Sequence, residues 1–156
     1  LESKMGRNLI FAEFRLASSF GNVSILRIGV VHLESLDKNI EIRNLQLQQI
    51  ANSLTKPING TKLNAILMGD FNIDPNSQEE IESINEILVD FKDCGTLLSE
   101  IPQPTKHINY PQDDKLPVRH DRIMLSSTGK KITLTSFDTF GNDPLSKDEI
   151  TCFPSD

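Results

Sequence analysis

The run Ile66-Leu67-Met68-Gly69-Asp70-Phe71-Asn72-Ile73-Asp74-Pro75 constrains the fold more than any other stretch of the chain. Every position from Ala65 to Met68 is apolar, so this segment has no wet side and reads as a short strand buried on both faces. Such a strand needs a layer on each side, which points to an α/β architecture. Its end is the second constraint. Asp70, Asn72 and Asp74 put three oxygen-bearing side chains at its mouth, where a strand that simply stopped would need one turn residue.

In extended backbone, residues two apart share a face, so Asp70 and Asn72 point together from the carboxyl end of the strand, the edge at which open α/β sheets bind ligands. Gly69 lets a backbone or a ligand approach closely. A carboxylate in this position can orient or deprotonate a water, and an amide can donate to a phosphate oxygen without adding negative charge beside it. The same residues also fit an Asx turn that closes a strand, and Asp74-Pro75 reads as turn formation only.

The flanking sequence supplies the layers. Residues 8–16 alternate with the two-residue period of a strand, Ile10, Ala12, Phe14 and Leu16 on one face. A loop at SSFGN and a second strand over Val23–Leu33 make an antiparallel pair with it. From Asn39 to Leu54 the period lengthens: Leu47, Ile50, Ala51 and Leu54 form an apolar stripe and Gln46, Gln48, Gln49 and Asn52 a wet side, an amphipathic helix closed by Pro57 and Asn59-Gly60. Ser77-Gln78-Glu79-Glu80 is a capping box opening a helix that continues through Ile81, Ile84 and Leu88. Ile101–Pro117 has no period and reads as a long loop, a length often functional in compact domains. Arg122–Ser126 and Lys131–Ser136 read as two more strands. The expected fold class is therefore α/β with a mixed sheet.

At 156 residues the chain has material for one soluble domain. Sixteen basic residues against 22 acidic give a net charge of −6, a field that repels polyanions, so a nucleic-acid contact would need a local basic patch or a cation. Cys94 and Cys152 have neither metal-knuckle spacing nor the number for a disulfide framework, and fit packing residues of a reduced intracellular protein of the nucleus or cytoplasm. The sequon at Asn22 is too loose a pattern to carry weight, and the one at Asn59-Gly60-Thr61 already reads as a turn. No apolar run reaches membrane-span length and no secretory leader precedes the first strand. The chain opens on Leu1 and stops at Phe153-Pro154-Ser155-Asp156, and reads as cut at both ends.

Two further residues fall at strand rims: His32, ending "GVVHLES", and Asp121, opening "RHDRIMLSS". Singly each is more often structural than catalytic. Together with the Asp70-Asn72 pair they lie at the rims of three separate strands and point to one shared pocket. In order, "KMGRNLIF", "VVHLES" with "R..QLQQI" behind it, "ILMGDFNIDP", "RHDRIMLSS" and "FPSD" resemble the endonuclease/exonuclease/phosphatase superfamily of metal-dependent phosphoesterases, most nearly the branch that contains the 5′-tyrosyl-DNA phosphodiesterases.

That resemblance implies one half of a four-layer α/β/β/α sandwich, residues 1–156 being the carboxyl-terminal half of a single domain whose amino-terminal half is missing. It implies hydrolysis of a phosphodiester substrate, DNA or RNA, with Mg²⁺ or Mn²⁺ as cofactor. The roles it implies are a water-orienting Asp70, a phosphate-contacting Asn72, a His32 that contacts phosphate or supports transition-state charge, an Asp121 that orients a catalytic histidine, and an Asp156 that helps to position the metal or its water. The family's metal-binding Glu and its final His have no counterpart here, and Asp74 stands where the tyrosyl-DNA enzymes have Arg. A phosphoinositide phosphatase, a sphingomyelinase-type hydrolase and a non-catalytic interaction module of the same fold are the alternatives.

Overall fold

A computed structural model of the chain describes residues 1–17, 23–74, 76–98, 119–127, 132–138, 145–147 and 150–152. Strands β1 (Leu9–Ala17) and β2 (Val23–His32) form the antiparallel pair that the alternation requires. A single 3₁₀ turn, Asp37–Asn39, leads into helix α1 (Ile40–Thr55), and β3 (Asn64–Asp70) follows. Then come α2 (Gln78–Ile87), the two-residue β4 (Lys92–Asp93), the short α3 (Cys94–Leu98) and β5 (Asp121–Ser126). The five strands form one mixed sheet in the order β1-β2-β3-β5-β4, with β2 and β3 parallel and the other neighbours antiparallel. Two further strands, β6 (Leu145–Lys147) and β7 (Ile150–Cys152), pair with each other.

Helices α1 and α2 cover one face of the sheet. The buried core comprises Val31, Ala65, Leu67 and Met124 from the strands and Leu47, Ile50, Leu54, Ile84 and Leu88 from the helices and the C-cap of α2, closed by Leu33, Phe71 and Ile73 at the strand ends. The alternate strand positions look away from the helices, and there apolar side chains meet water: Ile10 is 74% exposed, Val30 47%, Phe14 46%, Leu16 45% and Ile123 38%. The strand at 65–68, expected to be buried on both faces, is buried on one only: Ala65 and Leu67 are fully buried against the helices, while Ile66 and Met68 are half-buried on the open face, which no layer of the described residues covers. Gly69, at φ +132, packs against β2, where a β-carbon would collide with the Val31 carbonyl.

Three further expectations need correction. Gln46 is not on the wet side of α1 but fully buried, because its amide accepts from the Glu34 backbone N–H (2.9 Å) and donates to the Glu2 carbonyl (2.8 Å). Ser77 caps α2 by accepting from the Glu80 amide, but Glu80 does not reach back; its carboxylate is taken by Arg43 at 2.8 Å, a stronger charged partner. Residues 132–138 form no strand, since β4 already pairs the edge of β5 away from β3. The loop expected over 101–117 lies outside the described residues. Among those described, no helix is long and apolar enough to cross a membrane.

Candidate active site

His32 pairs in register with Asp70 across β2 and β3, and Asp70 pairs with Asp121 across β3 and β5. Register partners point to the same side of a sheet. The three side chains therefore form one row across three adjacent strands, on the face opposite the helices and at the carboxyl ends of β2 and β3. Two backbone bonds hold the row: the Leu33 N–H donates to the Asp70 carbonyl (2.8 Å) and the Phe71 N–H to the His120 carbonyl (2.9 Å).

Asp70 divides its two oxygens. Oδ1 accepts the Asn72 backbone N–H at 2.7 Å, the Asx turn that the sequence allowed, while Oδ2 stands 3.6 Å from His32 Nε2. Asn72 takes a left-handed φ of +50, which Asn tolerates better than most residues, and its Nδ2 donates to the Leu33 carbonyl at 2.9 Å. Turn and site coexist in one stretch. The 3.6 Å separation is that of an ion pair rather than a hydrogen bond, and His32, 52% exposed, and Asp70, 32%, are both open to solvent.

No protein-family model matches the chain, and no curated protein matches it by sequence. Solved structures do match. D. rerio TDP2 superposes with a TM-score of 0.63 at 20% identity, covering 98% of this chain and 59% of the other. TDP2 from Caenorhabditis elegans gives 0.64 at 20%, covering 98% and 44%. Staphylococcus aureus beta toxin gives 0.52 at 16%, covering 92% and 52%. The chain therefore shares the fold of these TDP2 and beta toxin structures. The chain spans 59% of the length of the D. rerio structure and 44% of that of the C. elegans one.

In this fold His32, Asp70 and Asp121 come together, with Asn72 bonded beside them, while Asp156 lies outside the described residues. Glu34, not expected to be a ligand, is fully buried and accepts from Ser3 Oγ at 2.7 Å. Sequence reasoning assigned no role to Arg7, whose Nη1 lies 3.0 Å from His32 Nδ1. Arg43 and Gln46, part of the "R..QLQQI" motif but given no role by it, grip the turn after His32: Arg43 Nη1 donates to the carbonyls of Glu34 (3.1 Å) and Leu36 (2.8 Å), and Gln46 Oε1 accepts the Glu34 N–H. A signal was present, because Arg43 continues the apolar stripe of Leu47, Ile50 and Leu54 by one turn and so had to be buried.

Proposed function

We propose that the intact protein hydrolyses phosphodiester bonds of nucleic acid, and that residues 1–156 are the carboxyl-terminal half of its catalytic domain. The row of His32, Asp70 and Asp121 on an otherwise apolar, uncovered sheet face is the observation that carries this reading. Three polar side chains at the rim of such a face serve no packing purpose. The D. rerio TDP2 structure that shares the fold holds a single-strand DNA product, which supports nucleic acid over the phosphoinositide and sphingomyelin alternatives.

In this reading Asp70 Oδ2 accepts a hydrogen bond from the attacking water and aligns it in line with phosphorus. The His32 Nε2–H donates to a non-bridging phosphate oxygen and stabilises the negative charge that grows there. The Arg7 guanidinium, bonded to the far nitrogen of the same ring, adds positive charge beside two carboxylates that would otherwise repel the substrate. Asn72 keeps Asp70 fixed through its backbone N–H.

A divalent cation neutralises phosphate charge in such reactions. A variant of S. aureus beta toxin, which superposes at a TM-score of 0.50, was solved with bound magnesium ions. The described residues here do not fit that cation by themselves: no three His, Cys, Asp or Glu side chains among them gather to hold an ion. We assign a Mg²⁺ or Mn²⁺ requirement to the intact protein, its ligands drawn from beyond these residues.

The test is cleavage of a single-stranded oligonucleotide by the protein with its complete domain in the presence of Mg²⁺. Asp70→Asn should lower the rate roughly 10²- to 10⁴-fold, the range expected for a positioned acid or base. A complete domain that is inert on nucleic acid, phosphoinositide and sphingomyelin alike would make this a non-catalytic member of the fold.

A further inference from the structure

Behind the row, on the helix-covered side of β5, lies a second polar cluster that the proposed reaction does not use. Asp121 faces the open side and its neighbour Arg122 the other. Arg122 Nη1 donates to Asp93 Oδ2 at 2.9 Å. Arg119 grips the same carboxylate twice, Nη2 to Oδ1 at 2.6 Å and Nη1 to Oδ2 at 2.7 Å, and the Gly95 N–H donates to Oδ1 at 2.9 Å. A side chain at Gly95 would strike the Arg119 guanidinium.

Two guanidinium groups, 8–12% exposed, share one carboxylate, and Lys92 lines the same cavity, so among the described residues positive charge is in surplus there. The buried Arg122 Nε–H has no partner among the described residues. An unmade hydrogen bond from a charged donor out of water is costly. Burial, reinforced by the Arg119 charge, holds the Arg122 pKa below its usual range in spite of Asp93. The cluster walls a cavity of about 630 Å³ between α2, β4, α3 and β5, whose other walls include Ile81, Ile84, Phe91 and Leu97. That volume is within the range of small-molecule sites.

We propose that this cavity binds a small organic carboxylate with an apolar body, the carboxylate against the Arg119–Arg122 edge and the body against Ile84 and Phe91. A carboxylate suits the site better than a phosphate. Its plane matches the guanidinium fork, and it carries less hydration to shed on entering a site walled partly by Ile84 and Phe91.

The probe is 2-naphthoate, equilibrated by dialysis against the chain, with neutral 2-naphthamide as its control. The expected result is saturable binding of one naphthoate per chain, about tenfold or more tighter than the amide, the size of a lost charge-assisted hydrogen bond. Arg122→Gln should weaken naphthoate by a similar factor. Should that variant fold poorly, Asn85→Glu at the exposed rim leaves both arginine pairs intact, adds a repelling charge and should weaken naphthoate likewise. Ile10→Asp on the open sheet face should change nothing. Equal binding of acid and amide, indifference to Asn85→Glu, loss of binding in Ile10→Asp, or no saturation at millimolar probe would each overturn the proposal.

Discussion

Arg7 Nη1 sits 3.0 Å from His32 Nδ1, and because a guanidinium can only donate, the histidine must accept there. A neutral His32 then carries its proton on Nε2, the nitrogen turned toward Asp70 Oδ2. One arginine thus fixes the tautomer needed to donate to a substrate oxygen. Nitrogen-15 spectra of the neutral ring should show the Nε2–H form alone, and Arg7→Met should yield a mixture with the Nδ1–H form. A dominant Nδ1–H signal in the unmodified protein would refute the contact.

The row was legible from sequence because each of its members ends or begins a strand, and strand ends are marked by the loss of apolar alternation. Its order was not. Nothing in "VVHLES" or "RHDRIMLSS" specifies that β5, more than fifty residues on, inserts beside β3 so that Asp121 faces Asp70. Register is a long-range property, set by which apolar faces find helices. Local chemistry misled for a similar reason at Glu80, where a local capping bond lost to a cation from another helix, and at Gln46, which looked wet but had two backbone partners waiting in the core.

The Arg43–Glu80 pair joins α1 to α2 with both side chains under 5% exposed, and Arg43 also holds the turn that follows His32. Removing one partner strands the other charge in the core, which typically costs about 3–5 kcal/mol. Arg43→Met should therefore lower the denaturant midpoint sharply, whereas the double change Arg43→Met with Glu80→Leu should recover a good part of the loss. Equal destabilisation by the single and double variants would mean that the bonds to Glu34 and Leu36, rather than the ion pair, carry the effect.

Asp93 gives the fold an acid-labile element. Burial by itself would raise its pKa, but the hydrogen bond and charge of Arg119, with Arg122 and the Gly95 N–H, outweigh that and hold it below the usual carboxylate range. A group whose pKa falls on folding contributes stability that is fully present above its unfolded value and is lost as pH drops through the folded one. Comparison of the unmodified chain with Asp93→Asn should accordingly reveal a stability gap that is constant near neutrality and closes below about pH 4. A gap unchanged down to pH 2 would show that the carboxylate's charge is not what stabilises the cluster.

The open face of the sheet makes the last prediction. Ile10, Phe14, Leu16 and Val30 lie on adjacent strands β1 and β2, and Ile123 extends the same face across β5. Each 100 Å² of such surface left in water forgoes roughly 2.5 kcal/mol, and a patch of this kind on a lone chain seeks cover. If residues 1–156 are one half of a two-sheet fold, the isolated chain should self-associate, and its sedimentation should depend on concentration. Val30→Asp, at the centre of the patch and away from the helix-side core, should shift the chain toward monomer with little loss of secondary structure. A chain that sediments as a monomer at all concentrations, with a sharp thermal transition, would mean that this face is stable uncovered and needs no second sheet.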